Sequence, residues 1–281
     1  MTPTNFDSYP FVDIDLARRL ESTEANGSVQ FVEARIKAFP ESDATWRRIG
    51  GTFAMYDGVG SPLTQTFGLG MFQTISGAEM TELETFFQER GADVFHEVSP
   101  LADQSAFTIL NERNYRPIEF TSVMFRPIKS DLRLNATRNS EIQVRLISEA
   151  EAGLWAETAA DGWSSEHPEL RDFILDLGKV NAQSQSRAFI AELKGKPIAA
   201  GNLIINEDVA LLAGASTIPE ARRQGAQLAL LEERLRYGAG QGCTTAMIAA
   251  LPGSASQRNA ERHGFRIAYT RVKFKLAPSE I

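Results

Sequence analysis

The stretch Ile218-Pro219-Glu220-Ala221-Arg222-Arg223-Gln224-Gly225-Ala226-Gln227-Leu228-Ala229-Leu230-Leu231 decides how this chain is read. Before it, Val209–Thr217 is apolar and strand-like. Behind it, Leu228, Leu231 and Leu235 mark one face of a helix expected from about Gln224 to Ala239. The first turn of a helix leaves backbone N–H groups without intrahelical partners and carries the positive end of the aligned peptide dipoles. Gly225 removes the Cβ that would hold a bulky anion away, Ala226 keeps the approach small, and Arg222 and Arg223 add full charges beside it. The segment therefore reads as a diphosphate cradle. A glycine near a helix start and an exposed arginine pair also occur without any ligand, so it is the order strand, loop, glycine, helix that favours the cradle. Neither GxGxxG nor GxxxxGK followed by Ser or Thr occurs, which excludes a dinucleotide fingerprint and a Walker loop.

Outward from this segment, Ala199–Ile205 and Val209–Thr217 are joined by the tight turn Asn206-Glu207-Asp208. After Gly240-Gln241-Gly242 come a short strand, Thr245–Leu251, and a break at Pro252-Gly253. A polar helix from about Ser254 to His263 follows, and Gly264-Phe265 opens a last strand that runs to about Leu276. The first half gives the same order. Strands are expected at Gly51–Tyr56 and Gln65–Leu69, a helix at about Ala78–Arg90, a strand at Val94–Val98, a helix at about Asp103–Asn111 and a long strand from Tyr115 to Arg126. The pairs Tyr115-Arg116 and Phe265-Arg266 lie about 150 residues apart, and Pro100 and Pro252 precede their polar helices at nearly that offset. Six elements in one order point to a duplicated architecture, against the alternative of two unrelated α/β modules. Pro127–Ser140 is the natural linker, giving domains at 1–130 and 141–281.

The pattern Thr217-x-Pro219-x-x-Arg222-x-x-Gly225-x-Gln227 resembles motif A of the GNAT superfamily of acyltransferases, whose strand, loop and helix hold the pyrophosphate of acetyl-CoA. The run from Gly242 through Pro252 and Asn259 to Gly264-Phe265 resembles the next strand and helix of that fold. The resemblance covers about residues 141–276, and the element order extends it to the first half. It implies an α/β fold of the α+β kind: two tandem GNAT-like domains, each a mixed, mostly antiparallel sheet flanked by helices. It further implies an N-acetyltransferase that uses acetyl-CoA as co-substrate and no metal.

By that resemblance Ala215, Ser216 and Thr217 offer backbone groups to the pantetheine arm, and Arg222, Arg223, Gln224, Gly225, Ala226 and Gln227 hold the pyrophosphate. Gln227 departs from the Gly or Ala usual in the family. The first half runs Gly70-Met71-Phe72-Gln73-Thr74-Ile75-Ser76-Gly77-Ala78-Glu79-Met80 where the cradle would stand, with no arginine and an acidic helix start, so a degenerate copy that binds no coenzyme is expected there.

Acyl transfer to an amine needs an acid for the leaving thiolate and a route for the amine proton. Many relatives place a Tyr four residues before the Gly-Phe pair, where this chain has Ala260, and a Glu on the strand equivalent to Thr245–Leu251, which here has no carboxylate. The remaining catalytic candidates are Tyr269, Ser256 and Glu166. Tyr269 alternates with Ile267 and Arg271, so ordinary packing is its competing reading. Ser256 and Asn259 either hydrogen-bond the coenzyme or cap structure. Trp163 and His167, in Asp161-Gly162-Trp163-Ser164-Ser165-Glu166-His167-Pro168, are candidates for the acceptor side, against a plain turn between two helices. The acceptor class is a small-molecule or peptide amine. A coenzyme-binding regulator without catalysis, and an interaction module, stay open beside the enzyme.

Composition agrees with a globular chain: 43% hydrophobic and 23% charged residues over 281 positions suit two domains. A net charge of −7 opposes a general role in binding nucleic-acid backbones. Cys243 stands alone, excluding an intrachain disulfide, and His96, His167 and His263 are too scattered for a metal cluster. No stretch of about 20 apolar residues occurs, and the expectation is a cytoplasmic protein without membrane contact. Monomer and homodimer both stay open.

Overall fold

The computed structural model describes residues 9–129, 139–164, 168 and 171–278. Two compact units divide the chain: one comprises Met1–Pro127 with Ala249–Ile281, the other Ile128–Ile248. The break at Pro127 falls in the expected linker. The second break differs from the reading of 141–281 as one domain, because the C-terminal segment is built into the first unit.

In that first unit, helix α1 (Ile14–Ala38) starts where the Asp13 carboxylate accepts the Leu16 N–H at 2.9 Å. Strands β1 (Thr45–Ile49) and β2 (Thr52–Tyr56) form a hairpin on Gly50-Gly51, both at positive φ, as a two-residue turn with the sheet's twist requires. Next come β3 (Gln65–Phe67), α2 (Gly77–Gln88), β4 (Phe95–Val98), α3 (Gln104–Glu112) and β5 (Tyr115–Pro127). Within the unit, β1, β2, β3 and β4 pair in succession, antiparallel except for the parallel pair β3–β4. Helix α2 buries Met80, Leu83, Phe86 and Phe87 in a core shared with Leu69, Val98 and Leu110. Burial of four such side chains on one short helix contributes on the order of 2 kcal/mol each.

The last strand of the chain, which we number β11 (Arg266–Leu276), lies between β4 and β5 and pairs antiparallel with both. Its placement has a side-chain cause. Arg271, 2% exposed, meets Glu24 in a two-pronged contact at 2.8 and 2.9 Å, Glu97 at 3.0 Å and Glu21 at 3.4 Å. Its guanidinium also stands 4.8 Å from the Phe67 ring centre. One strand, one helix and one neighbouring strand are thus tied through a single buried cation.

The second unit begins with β6 (Ile142–Leu146), followed by α4 (Ala152–Ser164), α5 (Arg171–Gln183), β7 (Arg187–Leu193), β8 (Lys196–Asn206), β9 (Val209–Thr217), α6 (Ala226–Gly240) and β10 (Thr245–Ala250). Strands β6 to β9 pair antiparallel in order, and β9 pairs with β10 in parallel. Helix α4 buries Trp155, Ala156 and Ala159 against Ala188, Ile190 and Ala200 of the sheet. Helix α7 (Ala255–Arg262) then precedes β11 in the first unit.

Each unit therefore has a mixed, mostly antiparallel sheet whose one parallel pair is bridged by a helix, α2 in the first and α6 in the second. The order β2, β3, α2, β4, α3, β5 repeats as β8, β9, α6, β10, α7, β11, as the sequence offset predicts. Among the described residues no helix is long and apolar enough to cross a membrane, and no three His, Cys, Asp or Glu side chains gather as metal ligands.

Candidate active site

In the second unit two neighbouring strands pair over only part of their length. Strands β9 and β10 stay in register for three pairs, Val209 with Thr245, Ala210 with Ala246 and Leu211 with Met247, and β9 then runs on to Thr217 without β10. A bulge accompanies the divergence. Asn202 faces Ala213 and Ala200 faces Ser216, so Gly214 and Ala215 together oppose the single residue Gly201. Gly214 sits at φ +58°, where a residue without Cβ fits best. Beyond the bulge the Ile218 N–H reaches Ile198 O at 3.0 Å, so strand alternation turns the backbone groups of Thr217 to the edge that β10 has left.

At the end of β9 the chain passes through a short turn, Pro219–Ala221, and enters α6 at Gly225, which adopts φ +96° as N-cap. Among the described residues no side chain caps this helix. Helices α1, α2, α3 and α7 all carry a side-chain cap, from Asp13, Ser76, Asp103 and Ser254. A helix end of this kind suits an anion. On α2, the counterpart of α6, the same place is taken by the chain's own carboxylate: Glu79 accepts from the Ser76 N–H and hydroxyl at 2.8 and 2.7 Å. Those bonds pull the Glu79 carboxyl below its ordinary range.

The predicted cradle residues divide into two groups. Arg223 is exposed, at φ +63°, and Gly225, Ala226 and Gln227 form the uncapped turn. The others serve the scaffold. The Arg222 guanidinium donates to Gly162 O at 3.2 Å and to Thr217 O at 3.5 Å, tying the loop to α4. Gln224 donates to Glu220 O at 3.0 Å, and Asn139 to Gln224 O at 3.1 Å. The atypical Gln227 folds back, its amide donating to the Thr217 hydroxyl at 2.8 Å, so it bridges strand and helix. Ser216 is buried, and its hydroxyl donates to Ala159 O of α4 at 3.1 Å.

Sequence reasoning missed Gly162. A Cβ there would stand 2.5 Å from Ser216 Oγ and 3.0 Å from Thr217 N, so only glycine lets α4 approach this end of β9. The sequence placed Gly162 in a segment between two helices, where a glycine is ordinary; the structure puts it inside α4. Its neighbour Trp163 is 46% exposed at the end of α4. Glu166 and His167 lie outside the described residues.

The remaining candidates belong to the first unit. Tyr269 is 6% exposed and donates its hydroxyl to Glu21 at 2.8 Å. Burial and the adjacent carboxylate push its pKa well above the ordinary value. Ser256 is exposed on α7, whose cap is Ser254; Asn259 is half-buried on the same helix.

The second-unit residues fit an anionic, elongated ligand: a helix end without a capping side chain and Arg223 for a diphosphate, and the part of β9 beyond Leu211 that β10 does not pair for an extended amide-bearing arm. Acetyl-CoA has that chemistry. Residues 151–265 match the family model described as the acetyltransferase (GNAT) family. No curated protein matches the chain. Among solved structures, a GCN5-related N-acetyltransferase from Kribbella flavida gives a TM-score of 0.59 at 17% identity, covering 88% of this chain and 95% of that one. A tandem GNAT protein from the clavulanic acid biosynthesis pathway gives 0.57 at 13% identity, covering 98% and 97%. A functionally unknown conserved protein from Staphylococcus epidermidis gives 0.55 at 9% identity, covering 86% and 98%. At these identities the likeness is one of fold alone. The chain thus has the fold of tandem GNAT proteins, and its residues 151–265 are similar to the GNAT acetyltransferase family.

Proposed function

We propose that this protein transfers an acetyl group from acetyl-CoA to a primary amine of a small molecule or peptide. The observation that carries the reading is the uncapped α6 terminus at Gly225, set beside the place where β9 leaves β10. Bound there, the coenzyme supplies an activated acyl group as its thioester. The chain's own part is positional: the amides of Gly225, Ala226 and Gln227 with Arg223 take the diphosphate, and the Thr217 edge takes the arm by backbone hydrogen bonds. Trp163 offers an aromatic face for the acceptor. In the reaction the amine nitrogen bonds the acyl carbon, the carbon–sulfur bond breaks, and the amine proton leaves as the thiolate gains one. We further propose that the first unit is the degenerate copy, since Glu79 occupies the helix end an anion would need.

Titration calorimetry with acetyl-CoA tests the reading: binding is expected, and Gly225→Trp abolishes it. Absence of binding at millimolar coenzyme would sink it. A second reading, a coenzyme-binding regulator with little turnover, is favoured by the buried Ala260 where relatives carry a tyrosine and by the engagement of Tyr269 with Glu21. Sustained thiol release across an amine panel would refute this second reading.

A further inference from the structure

Arg234 lies on α6, about two and a half turns from Gly225, and is 3% exposed. Among the described residues no carboxylate pairs with it. Its guanidinium donates only to backbone carbonyls: Leu230 O at 3.2 Å, Asn202 O at 3.0 Å and Ala213 O at 3.3 Å. Burial lowers its pKa to about 10, which leaves it charged at neutral pH. A buried cation without a counter-charge is costly, and a regular ladder between β8 and β9 would need none.

Asn202 and Ala213 are the last facing pair before the bulge, and one nitrogen of Arg234 takes the carbonyls of both. Gly201, the single residue opposite Gly214 and Ala215, makes the room: a Cβ on it would stand 3.2 Å from the centre of the guanidinium. A planar group with several donors in one fork can satisfy carbonyls on two strands at once, where an ammonium holds its donors at a single point. The bulge is also where β9 departs from β10, whose last pair is Leu211 with Met247. Bulges beside sites end strand pairing and re-aim the backbone that follows.

We infer that Arg234 is a positioning residue for the coenzyme's arm: it clamps the β9 bulge from beneath and so fixes the backbone edge from Ala215 to Thr217 along which the pantetheine chain lies. The inference rests on the proposed coenzyme site and adds that the two ends of the ligand are held by separable parts of the chain. The diphosphate end depends on the turn at Gly225, and the arm depends on Arg234.

The experiment compares acetyl-CoA with adenosine 3′-phosphate 5′-diphosphate, which lacks the arm, by titration calorimetry on the full chain. Arg234→Met is expected to weaken acetyl-CoA by about tenfold or more, as loss of one or more charge-assisted hydrogen bonds does, and to leave the armless nucleotide unchanged. Arg234→Lys keeps the charge and one contact, so it should fall between, and it serves alone if the methionine variant does not fold. A general loss of stability would weaken both ligands alike. Equal affinities in wild type and variant, or equal losses for both ligands, would overturn the role of Arg234. Wild type binding neither ligand would instead overturn the coenzyme site itself.

Discussion

Gly225 and Ser76 stand at equivalent helix starts, and the difference between them is one of chemistry at single atoms. Ser76 closes its helix with a hydroxyl and brings Glu79 onto the end, whereas Gly225 closes nothing. Its φ of +96° is open to glycine, while an L-residue forced into positive φ loses about 1–2 kcal/mol. Gly225→Ala should therefore lower stability by about that amount and also weaken acetyl-CoA, read by thermal denaturation and calorimetry together. A variant with unchanged affinity would show that this turn is not the anion site. The two arginines should separate as well. Arg223→Ala is expected to weaken coenzyme binding most at low salt, because an exposed charge is screened. Arg222→Ala should chiefly loosen α4, since its guanidinium is held by Gly162 O and Thr217 O. If the two substitutions gave the same salt dependence of affinity, that division of roles would be wrong. Gly225 was legible as a helix start because it stands directly before an apolar helical run, the pattern the N-cap at positive φ follows. The role of Arg222 was not, because a pair of adjacent arginines does not reveal which one turns back onto the scaffold.

At the scale of elements, α1 carries the polar interior of the first unit. It buries Glu21 completely, and burial, only partly offset by Arg271, raises that carboxyl from 4.5 to about 7. Glu24 and Glu97 face the same cation, and Tyr269 donates to Glu21. On β4, burial lowers His96 from 6.5 to about 3. Tyr115 donates to Glu84 at 3.2 Å, so the His96 Nε2–H donates to Tyr115 at 3.1 Å and its Nδ1 accepts from Thr66 at 2.7 Å. The two shifts act on stability with opposite signs. A raised carboxyl stabilises the fold most below pH 4.5 and loses that contribution as pH climbs towards 7. A depressed histidine stabilises above pH 6.5 and loses its contribution as pH falls towards 3. Between pH 4.5 and 6.5 the slopes cancel. Glu21→Gln, which keeps the acceptor for Tyr269, should unmask the histidine, so that stability rises with pH by about 3 kcal/mol over that window relative to wild type. His96→Gln should give the opposite slope. Urea denaturation at several pH values reads both, and parallel profiles for wild type and Glu21→Gln would refute the assignment. None of this was legible from the sequence. The strand Val209–Thr217 could be bounded to the residue because its turn and its apolar run are local signals. Helix α1 could not, because Gly27, Ser28 and three glutamates break up its apolar face, and what they touch is fixed only by strands far along the chain.

At the scale of the whole molecule, the duplication was readable and the exchange of the last strand was not. Repeat order follows from local patterns, and it recurs in both units. Strand partnership is a long-range property: Tyr269, Thr270 and Arg271 alternate like any strand, and nothing near them in sequence tells that their partners are Val123, Ser122 and Thr121, or that the following Val272–Lys275 also pair with β4. The consequence is that residues 1–130 are an incomplete fold. Without β11, strands β4 and β5 would each expose an unpaired edge, Glu21, Glu24 and Glu97 would lose Arg271, and Glu97 would lose Lys273 as well. A fragment ending at residue 130 should therefore show no cooperative thermal transition and should aggregate on gel filtration. Addition of a synthetic peptide spanning residues 264–278 should restore a transition, and the same peptide with Arg271→Met should not. A fragment that folds cooperatively by itself would show that the first unit closes its sheet without the C-terminal strand, and the ionic cluster around Arg271 would then be an accessory to that unit's stability and not a condition of it.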